Sequence, residues 1–290
     1  MLNAVPLPIQ VELQNILHAD LVSFSFVGGG CINHGGKLTT SAGDFFLKWN
    51  DASRLPRMFE AEAKGLGLLK KAGVIDVPAV IASGQAGNFQ FLVLEYVESK
   101  SKHELYWDIL GEGLARLHQI SDKTFGLDHD NFIGSLPQKN LPTSKWVEFF
   151  IENRMEVQLK MAMDSGRISA SIGKQFDLLY QKLPSLLPEE KPALLHGDLW
   201  SGNLITHNDG KPCIIDPAVY FGNREIELAF TELFGGFSTR FYEAYDANFQ
   251  RQAGFHGRVE LYQLYPLLVH VNLFGGSYVP QTVSILKKFV

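Results

Sequence analysis

The segment near residue 200 constrains the fold of this chain more than any other feature of its sequence. His196-Gly197-Asp198 directly follows the apolar pair Leu194-Leu195, and Asn203 stands five positions after Asp198. A second short apolar segment, 213–215, ends at Asp216. Each pattern alone is short enough to occur by chance, but here both occur in order and each adjoins an apolar segment. Together they indicate one functional loop system rather than two ordinary turns.

Asp198, Asn203 and Asp216 have the residue types and the order that phosphoryl transfer requires. This reaction needs a carboxylate near the attacking hydroxyl and oxygen ligands for a magnesium ion that bridges the phosphates. In the kinase catalytic loop an Asp takes the proton and an Asn five positions later holds a metal. We therefore predict that Asp198 is the catalytic base, that Asn203 and Asp216 bind Mg²⁺, and that ATP is the donor. His196 is predicted to orient the loop rather than to act as an acid or base.

The N-terminal half contains a candidate for binding the nucleotide phosphates. Lys48 is in the β-like segment 45–49, from which its ammonium could reach the α- and β-phosphates. Glu62, on the following predicted helix, could hold this lysine in place by an ion pair. Glu60 is the alternative partner, and because the two glutamates face different sides of a helix, only one can point inward. The order of these elements favours Lys48 and Glu62 as a functional pair.

Two further segments are predicted to bind the nucleotide. Gly28-Gly29-Gly30 follows a β-like segment, and glycines in such a turn can expose backbone N–H groups to phosphate. Asn33 stands where the glycine-rich loop of protein kinases would need its last glycine. The strand that ends at Glu95-Tyr96-Val97 is predicted to be the hinge, whose backbone groups could hydrogen-bond the adenine.

The two halves of the chain differ in predicted secondary structure. Residues 1–98 have mostly β-like segments with two helices, whereas residues 99–290 have mostly the spacing of helices. A polar run, 98–102, separates the two parts. We therefore predict an α+β fold with two lobes, a β-rich N-lobe that grips the nucleotide and an α-rich C-lobe with the catalytic and substrate site. An ATP cleft is expected between the lobes.

Composition and charge exclude several classes of protein. The net charge of -5 gives no electrostatic reason to expect nucleic acid or an anionic membrane as a partner. No Lys or Arg precedes Lys37, and no apolar run approaches the roughly 18 residues of a membrane span. Two cysteines are too few for a disulfide framework, and Cys213 is predicted to be a core residue. Histidines such as His118 and His270 show no metal-ligand spacing and are predicted to be surface or core residues. We expect a cytoplasmic protein without nucleic-acid or membrane partners.

Several longer motifs accompany these residues along nearly the whole chain. They are GGGCIN (28–33), FLKWN (46–50), MFEAE (58–62), LLHGDLWSGN (194–203), DPAVYFGNREIELA (216–229) and TELFGGF (231–237). With these motifs the chain resembles the fructosamine kinase (ketosamine-3-kinase) family, whose fold is protein-kinase-like. The most specific element is the Leu-Trp-Ser-Gly insert between Asp198 and Asn203. It separates this family from its aminoglycoside phosphotransferase and choline kinase relatives.

The resemblance implies ATP-dependent phosphorylation of the 3-hydroxyl of a ketosamine, which is a sugar joined through nitrogen to an amine or a lysine. The product is labile, so such kinases are deglycating repair enzymes. By position, the resemblance matches Asp198 to the base, Asn203 and Asp216 to the metal ligands, and Lys48 with Glu62 to the pair that grips the phosphates. It also matches Trp200 to a tryptophan beside the substrate. A packing role is the alternative for Trp200. Cys31 matches a cysteine linked to redox control, which implies a redox-linked dimer through Cys31. Glu227 stands where the family often has Asp, and a supporting role is predicted for it.

Two other functions stay open at this point. A kinase of another small hydroxyl compound, such as an aminoglycoside, choline or homoserine, would need an acidic cluster in the C-terminal half for a cationic substrate. Four glutamates there have helical spacings that suit an exposed face equally well: Glu225, Glu227, Glu232 and Glu243. A pseudokinase is disfavoured because the four residues of the kinase pattern are all present: Lys48, Asp198, Asn203 and Asp216. Ribulosamines, erythrulosamines and fructosamines differ only in the chain length of the sugar. The sequence leaves open which of the three is preferred.

Overall fold

The computed structural model describes residues 2–27 and 33–290. The chain divides into a first unit, Met1–Tyr106 with Gly202–Pro217, and a second unit, Trp107–Ser201 with Ala218–Val290. Each unit thus combines two segments of the chain. The predicted division into lobes 1–98 and 99–290 stays a prediction.

The first unit is built on one antiparallel sheet in the order β1-β2-β3-β5-β4. Its strands are β1 (Leu21–Phe26), β2 (His34–Thr40), β3 (Gly43–Asp51), β4 (Val80–Ala86) and β5 (Phe89–Glu95). Strands β2 and β3 form a hairpin, with Ser41 and Ala42 in the turn between Thr40 and Gly43. The Thr40 hydroxyl closes this turn, since it accepts from the Ala42 N–H (3.1 Å) and donates to the Gly43 carbonyl (2.9 Å).

Side chains of β3 alternate between two environments because successive residues of a strand point to opposite faces. Leu47 and Trp49 are buried in a core cluster with Ile9 and Leu13 of α1 (Leu7–Leu17). Lys48, between them, points to the other face, where α2 (Met58–Ala72) supplies its partner. The alternation therefore places one polar residue of an otherwise apolar strand segment opposite α2. Gly73 ends α2 in a left-handed conformation (φ 65°), which glycine adopts readily.

A small hairpin from the distant segment 202–217 completes the first unit. It consists of β9 (Leu204–Thr206) and β10 (Pro212–Ile214), and the Ile214 N–H donates to the Asp76 carbonyl (2.9 Å). Cys213 is buried in β10, and its burial raises the pKa of the thiol to about 12. The prediction that Cys213 is a core residue is confirmed.

The second unit is mainly helical, as predicted. Its elements are α3 (Tyr106–His118), β6 (Asn131–Ile133), β7 (Leu136–Gln138), α4 (Trp146–Phe149), α5 (Glu156–Asp164), α6 (Ala170–Leu186), β8 (Ala193–Leu195), β11 (Tyr220–Gly222), α7 (Arg224–Leu233), α8 (Thr239–Asn248), α9 (Phe255–Phe274) and α10 (Tyr278–Leu286). The first residue of α3, Tyr106, belongs to the first unit. A π-helical turn, Phe150–Met155, joins α4 to α5. The short pairs β6–β7 and β8–β11 are antiparallel.

The helix α9 forms the core of the second unit. It packs against α5, α7 and α10, and its side chains from Leu261 to Val269 are all buried. A helix that is apolar on all sides is typical of such a buried position. Gly275 ends α9 and donates its N–H to the Val271 carbonyl (2.9 Å). Among the described residues, no helix combines the length and apolar character needed to cross a membrane.

Candidate active site

Lys48 lies at the centre of the charged groups of the first unit. Its Nζ atom is 2.6 Å from Glu62 Oε1 and 2.6 Å from Asp216 Oδ1. The side chains of Lys48 and Glu62 are buried, whereas that of Asp216 is 46% exposed. Glu60, the alternative partner, instead contacts Arg57 and Lys64 on the exposed side of α2. The structure therefore pairs Lys48 with Glu62.

The charges of this cluster do not balance. Burial opposes the charge on Lys48, but the attraction of Asp216 and Glu62 outweighs it and raises the pKa of the lysine. For Glu62, burial and the repulsion of Asp216 outweigh the attraction of Lys48 and raise the pKa of the carboxyl. One ammonium between two carboxylates leaves one negative charge in excess. The carboxylate of Asp216 is the one that is accessible to solvent. Such a position suits a divalent cation.

Asn203 and Asp216 stand at the same end of the β9–β10 hairpin. The Ile215 N–H donates to the Asn203 carbonyl (3.1 Å), which continues the ladder between the two strands. Asp216 has a left-handed backbone (φ 57°), a conformation that non-glycine residues seldom adopt and that is frequent at functional sites. The side chains supply an amide and a carboxylate, the oxygen ligands that Mg²⁺ takes in proteins, so the predicted metal ligands fit this ion.

The predicted hinge begins where β5 ends. Glu95 is fixed to the neighbouring strand region, because its N–H donates to the Ala79 carbonyl (2.9 Å) and its Oε2 accepts from the Ala79 N–H (3.1 Å). The ring of Tyr96 lies 4.7 Å from Lys37 Nζ, and Val97 follows it beyond the strand. The other predicted nucleotide-binding residues, Gly28-Gly29-Gly30, and the predicted redox-active Cys31 lie outside the described residues.

In the second unit, β8 leads directly into His196-Gly197-Asp198. The Ala218 N–H donates to the His196 carbonyl (2.9 Å), and His196 Nδ1 accepts from the Asp198 N–H (3.3 Å). Gly197 has a φ of 85°, and a Cβ atom there would lie 2.0 Å from the Ala218 carbonyl oxygen. Only glycine fits this position. The imidazole of His196 is buried, and its predicted role in orienting the loop stays a prediction.

A buried carboxylate on α7 holds the backbone of this loop. Glu227 accepts from the N–H groups of His196 (3.1 Å) and Gly197 (2.6 Å), and His118 Nε2 lies 2.9 Å from it. Burial opposes the charge on Glu227, but the hydrogen bonds from His118 and Gly197 lower the pKa of the carboxyl. His118 in turn contacts the hydroxyl of Tyr245 through Nδ1 (2.8 Å). A charged group thus fixes the two residues that precede Asp198.

Asp198 lines a pocket of the second unit whose other walls are mostly apolar and aromatic. These walls are formed by Ile133, Leu195, Gly197, Tyr220, Ile226, Glu227, Phe230, Tyr265, Pro266, Val269 and His270. Pockets that are mainly apolar and contain a few polar groups are typical of small-molecule sites. A carboxylate in such a pocket can accept a proton from a bound hydroxyl group.

Trp200 lies near the loop between α7 and α8. Its side chain is 37% exposed, and its ring centroid lies 6.1 Å from that of Phe234. Gly236, in that loop, has a φ of 93°, and a Cβ atom there would lie 2.7 Å from Ser201. The glycine therefore allows the loop to approach the residue that follows Trp200. The predicted place of Trp200 beside the substrate stays a prediction.

Four aromatic residues of the pocket were not among the predicted site residues: Tyr220, Phe230, Tyr265 and His270. Tyr265 and His270 belong to α9, and an apolar run alone does not show which of its side chains face a cavity. Tyr220 belongs to the motif that begins at Asp216, and this place in the sequence is the signal that could have identified it as a site residue. No group of three or more His, Cys, Asp or Glu side chains in the described parts of the chain could hold a metal ion.

Comparison with known proteins gives the family. The family model described as "Fructosamine kinase" matches residues 9–290. The chain belongs to the fructosamine kinase family. It is 41% identical over 265 residues to a Synechocystis protein named "Probable ketoamine kinase", a match that covers 90% of this chain and 88% of that protein. It is 38% identical over 270 residues to the chloroplastic protein-ribulosamine 3-kinase of Arabidopsis thaliana, covering 91% and 81% of the two chains.

Solved structures give the fold of this fructosamine kinase family member. A crystal structure of a Haemophilus somnus 129PT protein named as a fructosamine-3-kinase has a TM-score of 0.88 and 31% identity, with 97% of this chain and 96% of that one covered. The ternary complex of a thermostable aminoglycoside phosphotransferase APH(4)-Ia mutant with AMP-PNP and hygromycin B has a TM-score of 0.61 and 15% identity, covering 96% and 98%. The prediction of an α+β, protein-kinase-like fold is confirmed.

Proposed function

We propose that the chain transfers the γ-phosphate of ATP to the 3-hydroxyl of a ketosamine, with Asp198 as the catalytic base. The observation that carries this proposal is the position of Asp198 in a pocket of a chain that matches the fructosamine kinase family over residues 9–290. The names of the curated relatives support a ketosamine, on a small molecule or on a protein, as acceptor. The AMP-PNP complex of the aminoglycoside phosphotransferase supports ATP as donor. Phosphorylation would then serve deglycation.

Each of the polar residues described above has one task in the proposed reaction. Asp198 accepts the proton of the attacking hydroxyl, so that the oxygen forms its bond to phosphorus as the bond to ADP breaks. Lys48, held by Glu62, contacts the phosphates of the nucleotide. Asn203 and Asp216 would hold Mg²⁺, which when bound neutralises charge on the phosphate oxygens. Glu227 keeps the backbone before Asp198 in place.

The remaining predicted residues bind the two substrates in this proposal. Backbone groups of Glu95-Tyr96-Val97 hydrogen-bond the adenine, and backbone N–H groups of Gly28-Gly29-Gly30 bind the phosphates. Trp200 contacts the ketosamine. The redox-linked dimer through Cys31 is not part of the proposal, because neither the described residues nor the comparisons support it.

ATP consumption with Mg²⁺ tests the proposed function. The acceptor panel contains ribulose-, erythrulose- and fructose-lysine, together with hygromycin B and choline. Turnover of the ketosamines alone is the expected result, and their relative kcat/KM values rank the sugars. Turnover of only hygromycin B or choline would contradict the ketosamine acceptor but retain the phosphotransferase chemistry. No turnover of any acceptor would contradict both.

A further inference from the structure

Aromatic rings continue from the pocket of Asp198 along α9 and α10. His270 lines the pocket, and its ring centroid lies 4.8 Å from that of Phe234. It lies 4.9 Å from the ring of Tyr278 and 5.6 Å from that of Phe274. These spacings are those of rings in contact. The wall of the pocket at His270 is therefore also one side of an aromatic cluster.

This cluster is open to solvent. Phe234 is 39% exposed and Phe274 is 52% exposed, although both are large apolar side chains. The ring of Trp200, 37% exposed, adjoins that of Phe234. We define the aromatic shelf as the four side chains that extend the pocket wall at His270: Trp200, Phe234, Phe274 and Tyr278. An apolar surface that is continuous with a substrate pocket is a natural extension of that pocket.

None of the four shelf side chains is charged, and the nearby guanidinium of Arg167 donates to the carbonyls of Val271 and Asn272. His270 Nδ1 donates to the Pro266 carbonyl (2.7 Å), and burial lowers the pKa of the imidazole below its usual 6.5. The ring is therefore neutral near pH 7 and does not repel a cation. Aromatic faces attract an ammonium group and also bury apolar carbon atoms. The shelf thus suits a protonated amine that bears an apolar group.

The geometry of a ketosamine leads its amine out of the pocket. This step rests on the proposed function. In a ketosamine the nitrogen is bonded to carbon 1, and the 3-hydroxyl is on carbon 3. When the hydroxyl is at Asp198, the nitrogen is only two carbon atoms further along, and its substituent must leave the sugar subsite nearby. We propose that the aromatic shelf binds the amine-side substituent of the ketosamine and selects substrates in which this substituent is apolar or aromatic.

Two ketosamines of the same sugar test the proposal, one made from methylamine and one from benzylamine. For the wild type we expect a KM that is roughly three- to tenfold lower for the benzylamine adduct, since ring contacts are the difference between them. Phe274→Ala and Tyr278→Ala should remove most of this advantage, while kcat and the KM of the methylamine adduct change less than about twofold. Tyr278→Phe should retain it, because the ring is kept. Leu178→Ala, an exposed apolar residue of α6, is the matched control.

The outcomes separate the shelf from the function. Turnover of both adducts with equal KM values in the wild type and the variants would overturn the shelf but leave the proposed function in place. If neither adduct is turned over, the proposed function fails and the shelf proposal fails with it. If Phe274→Ala leaves both KM values unchanged but dissociates a dimer in sedimentation, a second copy of the chain covers the shelf, and the proposal is wrong.

Discussion

Lys48 shares its charge between Glu62 and Asp216, and this sharing explains why the choice of glutamate matters. A buried ammonium that held Asp216 alone would leave this predicted metal ligand neutralised. With Glu62 as a second partner, the cluster keeps a negative charge that faces the exposed side at Asp216. Glu60, two positions earlier, contributes nothing to this cluster because its partners are Arg57 and Lys64.

Glu62→Gln should raise the KM for ATP by about tenfold or more, since a hydrogen bond to a charged group contributes about 1.5–3 kcal/mol. Glu60→Gln is the matched control, from the exposed face of the same helix, and should leave the KM within about twofold. Steady-state kinetics at saturating ketosamine measures both values. Equal effects of the two substitutions would show that the pair with Lys48 has no part in nucleotide binding.

Asp198→Asn should lower kcat by about 10²–10⁴-fold, because a positioned general base contributes that factor. The affinity for Mg²⁺ and ATP should stay nearly unchanged, as Asp198 is not assigned to the nucleotide.

Asp216→Ala should have the opposite profile, with nucleotide binding weakened. Titration calorimetry with AMP-PNP and single-turnover rates distinguish the two, and Asp177→Asn on the surface of α6 serves as the control. Near-normal turnover of Asp198→Asn would refute its assignment as base.

At the scale of elements, α7 supports the loop before Asp198 through the side chain of Glu227. Glu227 projects from the first turn of α7 and accepts from two successive backbone N–H groups of the loop. His118 of α3 supplies a third contact. Two helices therefore converge on a loop that has little regular structure of its own. The precision required of Asp198 derives from these helices rather than from the loop sequence.

Glu227→Gln should lower the free energy of unfolding by about 3 kcal/mol at pH 7, because it removes one partner of a buried charged network. The pKa of Glu227 is lowered in the folded protein from an ordinary value of 4.5. Its stabilisation is thus complete above about pH 4.5 and is lost as the pH falls through the lower folded pKa. Urea unfolding at several pH values should show the difference from wild type shrinking below pH 4.5. A difference that is independent of pH would contradict an ionised Glu227, and Glu243→Gln on the surface of α8 is the control.

Elements could be predicted where the local pattern is strong. The helices α2 and α6, the β2–β3 hairpin and the ends of helices at Gly73 and Gly275 all follow from apolar spacing and glycine position. The three-residue strands β6 and β7 escaped prediction because segments this short carry no period. Pro266 lies inside α9, which continues through it, since its surroundings in the core determine the helix.

The residues of the candidate site could be predicted from the sequence where they belong to motifs. Asp198, Asn203 and Asp216 are separated by short distances along the chain, so their types and order carry the information. The position of His270 could not be predicted, because it depends on which face of α9 the other helices leave open. The choice between Glu60 and Glu62 also needed the packing of α2, since both have the same type and a similar place in the sequence.

At the scale of the whole molecule, the match to the fructosamine kinase family covers residues 9–290, which include both units. The first unit contains the lysine cluster and the predicted metal ligands, and the second contains Asp198 and its pocket. The segment 202–217 belongs to the first unit although it directly follows the catalytic loop in sequence. The residues of the kinase pattern are therefore distributed over both units rather than confined to one.

The position of the phosphate in the product tests the central claim most directly. Wild-type protein with Mg²⁺, ATP and ribulose-lysine should give a product whose ³¹P–¹H correlation spectrum places the phosphate on oxygen 3, together with an equal amount of ADP. Asp198→Asn should form this product at a rate lower by about 10²–10⁴-fold. Phosphate on another hydroxyl, or ADP formed without a phosphorylated ketosamine, would contradict the account.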